Sequence, residues 1–288
     1  MTVRLPAWSL IPAVPVPFRG REPAADAQRA YARWMAAQPV AGVAVWAHTG
    51  RGPHLSADQR RDVLAVWREA LPNRLIVAGA TSVDMAREAR RGGADALLAF
   101  PRRDDPVGWH AELSRELPVL AFYLYEAAGG VAYDDAALRG ILALDGVIGI
   151  KVATLDSVVT FQRIAALIRD YPDKLLVTGE DRFLGYSIVM GARAALVGMG
   201  AALTDLQARL LWAFRDGDWP AFLRLTSLLD AFSSTTFADP VDGYVRRTLW
   251  ALADEGVIPE DACDDPWGPP PAPGEREAVR RAARGARD

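Results

Sequence analysis

The stretch VIGIKVA, residues 147–153, is apolar throughout except for Lys151 near its end. Valine, isoleucine, glycine and alanine without polar alternation read as a strand buried on both faces of a parallel sheet. A lysine in such a strand is costly unless it is paired, neutralised or used. Lys151 therefore either reaches solvent at the strand end or serves as a buried amine.

Seven further runs of this kind lie around it: SLIPAVPV (9–16), GVAVWAHT (42–49), RLIVAGA (74–80), ALLAF (96–100), PVLAFYLY (118–125), KLLVTGED (174–181) and AALVGMG (194–200). Amphipathic stretches such as DAQRAYARWMAAQ, SADQRRDVLAVWREAL and TFQRIAALIRDY separate them. Ser56 and Gln59 have the spacing of a capping box, and glycines in GGADALLAF and GARAALVGM end one helix before the next strand. Eight such units over about 200 residues predict a (β/α)8 barrel, an α/β TIM barrel, with an open doubly wound sheet as the alternative. Past residue 204 the strand runs cease and helical patterns take over, followed by the proline-rich DDPWGPPPAPG and the charged EREAVRRAARGARD. The expected organisation is a barrel over residues 1–204 with a helical extension over 205–288 packed on it.

Composition narrows the function. The chain has 288 residues, 51% hydrophobic and 24% charged, with a formal net charge of −3, which suits a folded protein with no general attraction to nucleic acid or anionic membranes. Its single cysteine, Cys263, cannot form an internal disulfide, and a reducing cytoplasm fits. Four prolines interrupt the apolar N-terminal run MTVRLPAWSLIPAVPVPF, so it reads as a first strand rather than a signal peptide. No uninterrupted apolar segment reaches membrane-spanning length. His54 and His110 have no metal-ligand spacing.

Barrels of this class carry their chemistry at the C-terminal ends of the strands. By alternation, an inward Lys151 brings Gly149 inward and sends Ile148, Ile150 and Val152 to the helices. Tyr123 and Tyr125 share a face with Ala121, opposite Phe122 and Leu124, and Thr49 shares one with Ala47 and Val45. His48 takes the other parity unless the strand has already ended. An amine, a phenol and a hydroxyl then converge. A buried amine, its pKa brought from about 10.4 towards 7 or 8, attacks ketones and forms an electron-withdrawing imine. The plainer reading is a lysine reaching solvent and tyrosines filling the core. Glu180 and Asp181 suit either sugar hydroxyls or a helix cap, and Gly198 with Gly200 suits a phosphate.

LPVLAFYLYEAAGG followed by GVIGIKVAT resembles the tyrosine strand and the Schiff-base lysine strand of the dihydrodipicolinate synthase/N-acetylneuraminate lyase family. The resemblance implies that Lys151 is the imine lysine. Tyr123, 28 residues earlier, is then the proton-transferring tyrosine. AHTGRGPHLSADQR stands where the family has a GTTGE-x-x-x-LS segment, which implies that Thr49 and the backbone around Gly50 bind the carboxylate of a 2-oxo acid. His48 replaces a threonine of the family's proton relay and is a candidate auxiliary acid or base. Gly179 and Val197 would line the pocket.

Three departures argue against dihydrodipicolinate synthase itself. FPRR replaces the family's TPYY, putting Arg102 and Arg103 where a tyrosine reaches a neighbouring subunit; they would bind a second substrate's carboxylate or pair with Asp104 and Asp105. Ala128 stands in place of a substrate-binding arginine, and His48 in place of threonine. The resemblance still implies a Schiff-base lyase or aldolase acting on pyruvate or a related 2-oxo acid, with a sugar-acid or hydroxy-oxo-acid substrate. It implies no metal, no diffusible cofactor, and a homo-oligomer, dimer or tetramer. A dehydratase, a barrel that binds a 2-oxo acid without turnover, and a phosphate-binding barrel are the alternatives.

Overall fold

The computed structural model describes residues 5–287, so the first four residues of the N-terminal run lie outside the described residues. Eight parallel strands form one sheet: β1 (Ser9–Leu10), β2 (Gly42–Val45), β3 (Leu75–Ala80), β4 (Ala96–Ala99), β5 (Val119–Leu124), β6 (Val147–Ala153), β7 (Leu175–Thr178) and β8 (Ala194–Ala195). From β2 to β8 each strand pairs with the next, β8 pairs with β1, and an isolated bridge from Ala13, just past β1, to Ala44 of β2 brings the two ends of the sheet together. β1 is shorter than its apolar run because Pro12 and Pro15 have no N–H for the ladder. The intervening residues still donate, Ile11 to the Ala195 carbonyl at 2.8 Å and Ala13 to that of Val197 at 3.0 Å. β2 ends early because Trp46 adopts a left-handed φ of 55°.

The helices α1 (Ala25–Ala36), α2 (Ala57–Ala70), α3 (Val83–Arg91), α4 (Pro106–Leu113), α5 (Asp135–Leu142), α6 (Val158–Leu167), α7 (Leu184–Val189) and α8 (Thr204–Arg215) follow the eight strands in turn. The chain is therefore a (β/α)8 barrel. The capping box at α2 forms: Gln59 N–H donates to Ser56 Oγ at 3.2 Å and Ser56 N–H to Gln59 Oε1 at 3.0 Å. Because α8 packs on β1, the eighth barrel helix occupies the start of the segment assigned above to the extension. Beyond it lie α9 (Trp219–Thr236), α10 (Tyr244–Asp254) and α11 (Glu275–Gly285). Among the described residues no helix is long and apolar enough to cross a membrane.

Alternation along the strands divides the core in two. Side chains such as Ile11, Val77, Leu98, Leu120, Phe122 and Leu196 fill the barrel, whereas Val43, Ile76, Leu97, Ala121 and Val152 pack beneath the helices. The proline-rich segment after α10 folds back over a short antiparallel hairpin of Phe18–Arg19 and Glu22–Pro23, where Asp264 bridges Phe18. Next to it, Arg51 donates to the Asp265 carboxylate through Nε at 3.0 Å and Nη2 at 2.6 Å, and both side chains are buried. Removing one partner strands the other charge in a low-dielectric site. Asp265→Ala is expected to cost about 3–5 kcal/mol in urea unfolding, on the scale of broken buried pairs.

Candidate active site

Lys151 lies on β6, its nitrogen 4.1 Å from the centroid of the Phe122 ring. Only 6% of the residue is exposed, and this burial brings its pKa down to about 8 despite the opposing pull of Asp181 and Glu180. Gly179, just past β7, makes the space: a Cβ there would stand 2.4 Å from Lys151 Cε. The amine opens into a narrow cavity of about 30 Å³ whose walls include His48, Thr49, Tyr125, Asp181 and Tyr244.

Two adjacent carboxylates follow Gly179 and do different work. Glu180 accepts from Thr154 N–H at 2.6 Å, Thr154 Oγ1 at 2.9 Å and Leu155 N–H at 2.9 Å, tying down the loop that leaves β6. Burial raises its pKa to about 7 against these bonds. Asp181 accepts from Met199 N–H at 2.8 Å and faces the cavity; burial raises its pKa to about 6, and Lys151 partly opposes the rise.

The opposite wall combines the β2 loop with the C-terminal helices. Tyr244, the first residue of α10, brings its hydroxyl within 3.0 Å of both Thr49 Oγ1 and His48 Nδ1. Its ring stacks on Phe237 at 4.6 Å between centroids. Burial, with the positive charge of Arg51 next in weight, lowers the His48 pKa to about 4, so the imidazole is neutral near pH 7. Because β2 stops at Val45, both His48 and Thr49 turn towards the cavity, which strand alternation did not allow. A sequence reading confined to strand ends misses Tyr244, for it lies in the helical tail.

Several expected placements are corrected. Tyr123 does not face Lys151: it packs in the helix layer, edge-on to Tyr133 at 6.4 Å. The reason is a bulge. Val119 pairs with Val147 but Leu120 pairs with Gly149, so Ile148 is an extra residue in β6 and turns to the barrel core instead of the helices. Beyond the bulge Phe122 pairs with Lys151, and the 28-residue spacing lands one position outside the pocket. The position five beyond Phe122 is Ala127 rather than Ala128, so an alanine stands there in either register.

Arg102 and Arg103 are exposed and outside the cavity. The Arg102 guanidinium lies 5.5 Å from the Trp109 ring, and Arg103 sits 3.9 Å from Glu126 rather than beside Asp104 or Asp105. They leave the barrel because β4 ends before them, and Asp105 is already committed to capping α4 through Gly108 N–H at 3.0 Å. Val197 points into the helix layer, and its neighbour Gly198 lines the cavity instead. Gly50 is a tight turn, since a Cβ there would meet the Val14 carbonyl oxygen at 2.9 Å. Among the described residues there is no cluster of three or more histidine, cysteine or acidic side chains able to hold a metal.

No family model matches the chain. An uncharacterised DapA-like lyase of Chloroflexus aurantiacus is 26% identical over 205 residues, spanning 65% of this chain and 67% of that protein. A 4-hydroxy-tetrahydrodipicolinate synthase of Hyphomonas neptunium is 27% identical over 260 residues, spanning 83% and 86%. Among solved structures, the N-acetylneuraminate lyase of Mycoplasma synoviae superimposes with a TM-score of 0.79 at 20% identity, covering 97% of this chain and 98% of its own. A prophage protein of the dihydrodipicolinic acid synthase family from E. coli K12, solved with pyruvate, gives 0.85 at 18% identity over the same shares, 97% and 98%. These likenesses fit a divergent member of the dihydrodipicolinate synthase/N-acetylneuraminate lyase family.

The fit of Gly179 against the lysine is measurable without any substrate. Gly179→Ala is expected to cost about 1–3 kcal/mol, the scale of overpacking a filled site. Combined with Lys151→Ala it should cost less than the two single changes added, a coupling that a double-mutant cycle of urea unfolding reads.

Proposed function

We propose that this protein is a Schiff-base-forming, class I lyase or aldolase that acts on pyruvate or a related 2-oxo acid through Lys151. The observation that carries the reading is a buried primary amine at the mouth of the barrel with its pKa near 8, so that a useful fraction is neutral at physiological pH. In the scheme, the Lys151 nitrogen attacks the ketone carbon. The carbonyl oxygen is protonated and leaves as water, giving an iminium. Electrons from a C3–H or C3–C4 bond then flow towards the nitrogen, forming an enamine and releasing a proton or an aldehyde. The iminium is the electron sink, so the scheme calls on no metal or diffusible cofactor.

The surroundings suit each stage. Asp181, beside Lys151, stabilises the cationic iminium electrostatically. Among the described residues the backbone N–H groups of Thr49 and Gly50 have no hydrogen-bond partner, which leaves them free for the carboxylate of the oxo acid. Asp181 and Tyr125 offer hydrogen bonds to hydroxyls along a sugar-acid or hydroxy-oxo-acid chain. Among the described residues no arginine lines the cavity, so a second carboxylate has no matched partner among them. A homo-oligomer belongs to the same proposal: Val159 on α6, Val189 on α7 and Leu223 on α9 are 75%, 55% and 65% exposed, apolar surface available to a second copy. The phosphate alternative is disfavoured, because the Asp181 carboxylate already occupies Met199 N–H, in the loop where a phosphate would lie.

Incubation with pyruvate and cyanoborohydride should add one reduced pyruvyl group to the peptide containing Lys151, and Lys151→Ala should abolish it. The neutral amine is the nucleophile and the folded-state pKa is about 8, so the initial trapping rate should rise with pH up to about 8 and level off above it. No adduct with pyruvate or with longer 2-oxo acids would overturn the assignment. An adduct without cleavage of any sugar acid or hydroxy-oxo acid would favour the dehydratase or the barrel without turnover.

A further inference from the structure

We propose that Tyr244 and His48, with Asp242 beside the histidine to set its tautomer, form a proton wire from the pocket to solvent, with the Tyr244 hydroxyl as the group that exchanges a proton with the substrate. The inference rests on the imine reading of Lys151. Imine and enamine chemistry needs a proton moved in and out at C3, and the position in register with Lys151 is Phe122, which has no hydroxyl. Tyr123, next to it, is turned into the helix layer. The phenols that reach the cavity are Tyr125 and Tyr244, and Tyr244 is the one held in a hydrogen-bonded chain.

The chain has a direction. A phenol has one proton to donate and lone pairs that accept. His48 Nε2 lies 3.9 Å from Asp242 Oδ1, and a carboxylate there favours the hydrogen on Nε2. Nδ1 then accepts from Tyr244, 3.0 Å away, while the Tyr244 oxygen accepts from the Thr49 hydroxyl, also at 3.0 Å. The His48 and Tyr244 rings lie 10° from parallel with their centroids 5.9 Å apart. The Asp242 side chain is 55% exposed, so the far end of the chain is in water, whereas Tyr244 is 4% exposed.

As the enamine forms, the C3–H bond breaks and its electrons become the C2–C3 double bond, neutralising the iminium nitrogen. The C3 proton passes to the Tyr244 oxygen, the phenolic proton passes to His48 Nδ1, and the Nε2 proton passes to the solvent that reaches the partly exposed histidine beside Asp242. The ring ends as the other tautomer. Reprotonation of the enamine reverses each transfer, with the incoming proton drawn from solvent. No charge is left on the histidine at either end.

The test follows exchange of the pyruvate methyl protons in D2O by NMR, with cyanoborohydride trapping of Lys151 in parallel, on the full chain. Tyr244→Phe should slow exchange by about 100-fold or more, the usual scale for a lost acid–base group, while the adduct still accumulates and half-saturation by pyruvate shifts less than about twofold. His48→Ala should also slow exchange, and added imidazole should restore it, which a merely structural role for the histidine would not produce. Tyr123→Phe should exchange as the unaltered protein does. Exchange at the unaltered rate in Tyr244→Phe with the adduct present would overturn the wire, as would failure of imidazole to restore His48→Ala. Absence of any adduct in the unaltered protein would remove the imine reading, and the wire with it.

Discussion

An amine with too little water around it sets the terms at the mouth of this barrel. Lys151 is held against an aromatic face in a narrow cavity, and the cost of keeping its charge there lowers its pKa. Everything nearby adjusts to that one group. Gly179 gives up a side chain so that the lysine stem has room, and Asp181 stays close enough to moderate the loss of charge without neutralising it. A carboxylate in firm contact would hold the amine protonated.

Glu180 and Asp181 show how little sequence separation is needed to give two like groups different duties. Both leave the end of β7 and both are buried, but their donors come from different loops. Glu180 has both oxygens satisfied by residues 154 and 155, and so acts on the backbone. Asp181 is held through one oxygen by Met199 N–H and faces the cavity. The division follows from the extended chain past β7, whose successive side chains point to opposite sides, Glu180 to the loop after β6 and Asp181 to the cavity.

Much of the barrel was legible in the sequence because its signals are local. Strands buried on both faces appear as apolar runs wherever they occur, and the Ser56–Gln59 capping box needs four consecutive residues. Lys151 stood out as a charged residue in such a run. What spacing alone could not convey was one additional residue in a ladder. Ile148 shifts the register by one, and a shift of one exchanges the two faces of a strand, turning Tyr123 out and Phe122 in. The left-handed Trp46 likewise ended β2 earlier than its apolar run suggested and released His48 and Thr49 from strand alternation. Tyr244 left no mark in the barrel motifs, since its place depends on how the tail folds back across the mouth.

That placement bears on how such a protein changes over generations. In many barrels the strand ends hold the chemistry and the surrounding helices vary freely. Here a residue at the start of α10 is hydrogen-bonded to both members of the β2 loop that meet the cavity, so tail and barrel build the pocket wall together. A recombined chain with another tail would keep the eight strands and the lysine but lose the partner of Thr49 and His48. Conversely, a substitution in α10 alone can retune the pocket with every strand untouched, giving this architecture a route to new specificity that bypasses the constraints of its close-packed interior.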